Sequence, residues 1–145
     1  LSKNFVIINT GTPKMNTKQM ITKITALFDQ KPKLKDKFLT LQEKLVRELL
    51  PAIKNAHQKE VIRIIRQGEK NLESIGVCSP EVKKIIRQIE AAGGAAKICG
   101  AGATEGPTGI LLAYHVNRNK LIEVIKSHHL PYFTVKLGVQ GLRKE

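Results

Sequence analysis

The stretch 93-GGAAKICGAGATEGPTGILLAYH-115 decides the fold. AAKIC and GILLAYH are short apolar runs that suit strands, and a loop of small residues parts them. Between residues 93 and 106 five of fourteen positions are Gly and four are Ala. Residues that small forgo side-chain contacts, so the chain either turns there or brings its backbone close to something.

Both flanks read as helix. Upstream, 79-SPEVKKIIRQIEAAG-93 opens on Ser79, a good N-cap, with Pro80 suited to the first helical position and Glu81 placed to favour the helix start. Val82, Ile85, Ile86 and Ile89 share one face, and Gly93 is a natural stop. Downstream, Leu121, Ile122, Val124 and Ile125 mark a helix that ends before Pro131. The run 132-YFTVKLGV-139 then alternates, with Phe133, Val135, Leu137 and Val139 apolar.

Toward the N-terminus, FVIIN at 5–9 is a β-branched strand closed by the turn-like TGTP. Met20, Ile21, Ile24, Leu27 and Phe28 fall at helical spacing after an N-cap at Asn16 or Thr17, and Pro32 breaks that helix. Leu34, Phe38, Leu41, Leu45 and Leu49 form the stripe of a second helix that Pro51 ends or kinks. Val61, Ile64, Ile65, Leu72 and Ile75 suggest a third, with Gly68 a weak point inside it. The order is strand, several helices, strand, strand, helix, strand. This is the ferredoxin-like split β-α-β plan: an α+β, four-stranded antiparallel sheet with extra helices inserted in the first crossover. The expected sheet carries its helices on one face and leaves the other wet.

Length allows one domain with a real core. The chain carries 41% hydrophobic and 26% charged residues, which is a globular balance. No eighteen-residue apolar run exists, so no membrane association is expected. The two cysteines, Cys78 and Cys99, form no CxxC and argue for a reducing, cytoplasmic setting. The N-terminus lacks the layout of a signal peptide and reads as a cut just ahead of a strand. With 25 Lys+Arg against 12 Asp+Glu the net charge is +13, which attracts anions, whether nucleic acid, phosphorylated small molecules or an acidic partner. Basic residues are spread along the whole chain and aromatics are only 4%, so solvated helix faces explain most of that charge and nucleic acid is not the expected partner.

A loop such as GAGATEG can offer successive backbone N–H groups to a phosphate when no Cβ crowds them. It is neither GxxxxGK[ST] nor GxGxxG opening a helix, and a hairpin connection whose glycines supply positive φ fits equally. AAKICGAGATEG resembles the third signature motif of the small-molecule kinase superfamily that includes galactokinase, homoserine kinase, mevalonate kinase and phosphomevalonate kinase. SIGVCSPEVKKIIRQIEAAG resembles the segment ahead of that motif in mevalonate kinases. Near the start, 9-NTGTPKMNTKQM-20 is similar to another mevalonate kinase stretch, and 137-LGVQGLRKE-145 to the closing strand.

The resemblance implies that residues 1–145 are the C-terminal lobe of a two-lobed kinase, with the N-terminal lobe outside this chain. It implies ATP and Mg²⁺ as cofactors of the complete enzyme, a small-molecule substrate, and phosphorylation of its hydroxyl, mevalonate to phosphomevalonate first. Gly100, Ala101, Gly102, Ala103, Thr104 and Gly106 would line the nucleotide phosphates, with Glu105 a negative charge among them. Thr17 matches the threonine near the acceptor, and Lys14 would draw the substrate carboxylate. No catalytic residue and no metal ligand is assigned within the chain, so no activity is expected from it alone. The alternatives are a stand-alone basic anion- or nucleic-acid-binding ferredoxin-like module, and a structural or regulatory lobe docked on a separate partner.

Other candidates read more plainly. Adjacent helical residues such as His128 and His129 point apart and suit a helix C-terminus better than a metal. His115 reads as a strand-end residue rather than a base, and Cys99 as a small core residue. Lys97, opposite in direction to Ile98, faces either solvent or the cleft.

Overall fold

The computed structural model describes residues 1–135. The elements are β1 (Phe5–Asn9), α1 (Thr17–Gln30), α2 (Pro32–Lys54), α3 (Gln58–Ser74), α4 (Pro80–Ala91), β2 (Ala95–Cys99), β3 (Ile110–Tyr114), α5 (Arg118–Ser127) and β4 (Tyr132–Thr134). The four strands form one antiparallel sheet in the order β2-β3-β1-β4. β3 slots between β1 and β2, which is the split β-α-β arrangement, and α1, α2 and α3 precede α4 in the first crossover.

Local signals fix most boundaries. Asn16 and Gln19 close a capping box on α1: the Asn16 side chain accepts from the Gln19 N–H at 2.9 Å, and the Gln19 side chain accepts from the Asn16 N–H at 2.9 Å. Ser79 caps α4 with Pro80 first in the helix, and Gly93 follows the helix end at φ +96°. Pro51 does not end α2, which runs on to Lys54. It lies in the last turn, and the next residue, Ala52, is buried against α3 in the core and holds that turn in place.

Strand register assigns the two faces of the sheet. Val6, Ala113 and Ala96 lie side by side on one face, as do Ile8, Leu111 and Ile98. Val82, Ile86 and Ile89 of α4 and Leu121 and Ile125 of α5 pack there, together with Met20 of α1. Each such fully buried aliphatic chain contributes about 1.5–3 kcal/mol. The opposite face departs from expectation, because it is not wet throughout. Phe5, Tyr114 and Ala95 are buried under Leu45, Ala52, Val61, Ile64 and Ile65 of α2 and α3. The inserted helices therefore build a second core, which leaves that face half-covered only from Ile7 and Leu112 onward.

α3 also closes the free edge of β2. The outward N–H of Ile98 donates to Glu69 at 2.8 Å, and Arg66 donates to Gly94 O at 2.8 and 2.6 Å and to Glu90 O at 2.7 Å. At the other edge, the register places Tyr132 toward the α4–α5 core and Phe133 opposite Ile7, where it is 59% exposed. The alternation expected of the last strand is thus met with Tyr132, not Phe133, in that core. Residues 136–145, including the rest of that run and the closing stretch, lie outside the described residues.

Candidate functional site

The glycine loop joins β2 to β3 and is held from both sides. On one side the turn between α3 and α4 backs it. Ala103 N–H donates to Val77 O at 2.9 Å, and a Cβ on Gly102 would lie 1.9 Å from that same oxygen. Glycine at 102, with φ +71°, is what lets the two backbones touch. The Ser79 hydroxyl donates to Gly106 O at 2.6 Å, and Gly106 N–H donates to Glu81 Oε2 at 3.2 Å. Hydrogen bonds, its own backbone N–H first and that of Gly106 further down, hold the Glu81 carboxyl below the usual carboxylate range, and Lys14 adds to the effect.

On the other side the segment leaving β1 is stitched to the loop. Thr10 N–H and Thr10 Oγ1 both donate to Gly109 O, at 2.9 and 2.8 Å, and Thr108 N–H donates to Thr10 Oγ1 at 3.0 Å. Thr104 Oγ1 lies 3.7 Å from Met15 Sδ, and Lys14 Nζ lies 4.0 Å from Glu105 Oε1, both side chains being exposed. Two stretches some 90 residues apart in sequence thus meet at one place. Thr17 is the first helical residue of α1, exposed, three positions past Lys14.

The six loop positions singled out from sequence differ in what they present. Gly100 and Gly106 are open: a Cβ on either would meet nothing within 4 Å. Gly102 and Ala103 are buried and face inward, and the Ala103 amide is engaged with Val77. Among the described residues, the N–H groups of Ala101, Gly102, Thr104 and Glu105 have no protein acceptor. The loop leads into a strand, yet helix N-termini flank it: α4 begins at Ser79–Pro80 against Gly106, and α1 begins at Asn16–Thr17 beside Met15 and Thr104. Their dipoles make this region favourable to an anion.

Sequence reading missed Thr10, Ser79 and Glu81 as supports of the loop. Ser79 was legible as an N-cap, but its second bond reaches 27 residues along the chain. The remaining candidates have structural places. His115 is buried, accepts from Asn117 N–H on Nδ1 at 2.7 Å and therefore carries its proton on Nε2, which faces Ala92 O at 2.8 Å. Lys97 is half-buried and donates to Ile98 O at 2.7 Å, and Cys99 is half-buried rather than part of the core. His128 lies 2.5 Å from Gln88 Oε1 at the end of α5.

The family described as GHMP kinases C terminal matches residues 34–129, more than half of the chain. The chain belongs to that family. No match exists among curated proteins. Solved structures share the fold of this GHMP kinase C-terminal domain. A Lin0012 protein from Listeria innocua superposes with a TM-score of 0.78 at 19% identity, over 89% of this chain and 38% of that one. The L. major mevalonate kinase, solved in complex with R-mevalonate, gives 0.74 at 17%, over 86% and 37%. The Streptococcus pneumoniae phosphomevalonate kinase, in complex with phosphomevalonate and AMPPNP, gives 0.70 at 19%, over 90% and 39%. This GHMP domain therefore spans less than two fifths of the solved proteins it resembles.

Proposed function

We propose that this domain forms one wall of the nucleotide cleft of an ATP-dependent kinase that phosphorylates a hydroxyl of a small acid, mevalonate first. One observation carries the reading. The glycine loop and the Lys14–Thr17 segment, distant in sequence, lie side by side, with two helix N-termini around them and with amides that have no acceptor among the described residues. The open backbone at Gly100 and Gly106 fits a phosphate-bearing ligand, because a bound oxygen can approach there without meeting a Cβ. The N–H groups of Ala101, Thr104 and Glu105 would hold the phosphates, with Gly102 and Ala103 fixing the loop from behind. ATP supplies the transferable γ-phosphoryl group. Such transfer needs positioning and charge neutralisation, which preset amides provide at little reorganisation cost.

Lys14 would draw the substrate carboxylate, and Thr17 would sit at the acceptor end. Glu105 now neutralises part of Lys14, so the substrate carboxylate must displace that contact. Both side chains are exposed, and the screened pair is worth under about 1 kcal/mol. We assign the catalytic carboxylate, the main phosphate loop and the Mg²⁺ ligands to an N-terminal lobe, and the complete enzyme to the cytoplasm. No helix among the described residues is long and apolar enough to cross a membrane. A nucleic-acid module fits less well: Tyr114, the strand aromatic that would stack bases, is fully buried under α2 and α3.

The test is ADP release by the complete protein offered mevalonate, phosphomevalonate or mevalonate diphosphate in turn. We expect turnover with mevalonate, none from residues 1–145 alone, and loss of turnover in Gly100→Val without loss of fold. Turnover unchanged in Gly100→Val would refute the placement of the nucleotide.

A further inference from the structure

Behind the glycine loop, the Glu69, Glu73 and Cys78 side chains bring one ligand atom each to within 4.8 Å of one another. Glu69 sits on α3 with no exposed surface, and its Oε2 is taken by the Ile98 N–H. Its Oε1 is buried and meets no hydrogen-bonding geometry among the described residues, although the Cys78 thiol lies beside the carboxyl. An orphaned carboxylate oxygen inside a protein is costly, so such an atom calls for an explanation. Cys78 is buried in the turn between α3 and α4. Glu73 is half-buried, its side chain 14% exposed, and opens the cluster toward solvent. Both Glu73 oxygens accept from Arg87 Nη2, at 2.7 and 2.6 Å.

We propose that Glu69 Oε1, a Glu73 oxygen and the Cys78 thiolate bind one borderline-soft divalent cation of the Zn²⁺ type. The ligand chemistry selects the ion. Thiolate beside carboxylate suits Zn²⁺, whereas Mg²⁺ and Ca²⁺ want shells of oxygen alone. A tetrahedral ion with bonds of about 2.0–2.3 Å holds its ligands about 3.3–3.8 Å apart, so these three need close by up to about 1–1.5 Å, and water would fill the fourth position.

Two carboxylates and a thiolate carry three negative charges, a divalent ion offsets two, and Arg87, which Glu73 shares with Glu90, offsets part of the rest. The Cys78 S–H bond breaks as the S–metal bond forms, and its proton leaves to solvent. Ile98 N–H and Arg87 orient the two carboxylates from outside, as supporting groups do in built metal sites. The ion would pin α3 to the turn whose Val77 O receives Ala103 N–H, and so brace the glycine loop from behind. The inference stands apart from the kinase reading.

The experiment is titration of the chain with Co²⁺ as a spectroscopic stand-in for Zn²⁺, followed by thermal melts with Zn²⁺ and with a chelator. We expect one equivalent of Co²⁺ to give a thiolate-to-cobalt charge-transfer band. The band should persist in Cys99→Ser, vanish in Cys78→Ser, and require more metal in Glu69→Gln, which keeps an acceptor for Ile98 N–H. Zn²⁺ should raise the melting temperature of the parent chain and not that of Cys78→Ser. Circular dichroism checks that each variant is folded. No band in the parent chain would overturn the proposal whatever the variants do. A band that follows Cys99, or binding lost only on replacing His128 and His129, would overturn it too.

Discussion

Replacing Gly102 by Ala tests the contact that shapes the loop. The residue has φ +71°, and an added Cβ would stand 1.9 Å from Val77 O and 2.8 Å from Ile98 Cδ1. The first neighbour is backbone and cannot swing aside. Left-handed backbone with a Cβ costs about 1–2 kcal/mol. Overpacking adds about 1–3 kcal/mol, and loss of the Ala103–Val77 hydrogen bond about 0.5–1.5 kcal/mol. A total of about 2.5–6.5 kcal/mol follows, a large share of a typical domain's 5–15 kcal/mol. Gly100→Ala is the matched control, because its φ is +88° but a Cβ there meets nothing within 4 Å. It should lose only the conformational part, about 1–2 kcal/mol. Urea unfolding of both variants reads the difference as a shift in midpoint at constant slope. Equal losses would show that the loop does not rest on Val77 and would refute the packing argument.

Ser79→Ala removes both the cap on Val82 N–H and the bond to Gly106 O, and should cost about 1–2 kcal/mol in the same assay. Arg66→Met strips donors from Gly94 O and Glu90 O, and should cost about 1–3 kcal/mol, with amide exchange rising first along β2. Ala56, between α2 and α3, adopts φ +52°, so Ala56→Gly should stabilise by about 1 kcal/mol. The Glu81 carboxyl is held below its usual range, so its stabilising share is present above the unfolded-state value and lost as pH falls through the folded-state value. Glu81→Gln should therefore lower stability at neutral pH, leave it nearly unchanged at the acid end, and so flatten the acid limb of the stability–pH curve.

Signals carried within a few residues were legible in the sequence. Ser79–Pro80, the Asn16–Gln19 box, Gly93 and the apolar spacing in α4 each act within about one helical turn, and they gave element order and the split β-α-β plan. The kinship of the glycine loop was readable in the same way, because a run of small residues is itself a statement about backbone. What reached across the chain was not readable. The covering of the second sheet face by α2 and α3 depends on how an inserted hairpin docks, and helical periodicity reports an apolar face without saying what it meets. Phe133 and Tyr132 are both apolar enough for a core, and only the register with β1 assigns them to opposite faces.

The sequence by itself determined the order of strands and helices and where the backbone must be bare, since both follow from the intrinsic preferences of neighbouring residues. Tertiary structure alone decided that Lys14 faces Glu105, that Ser79 and Glu81 grip Gly106, and that Glu69, Glu73 and Cys78 converge. These are meetings of groups that no local preference links, and they exist only because the sheet and its helices fix the distances between them.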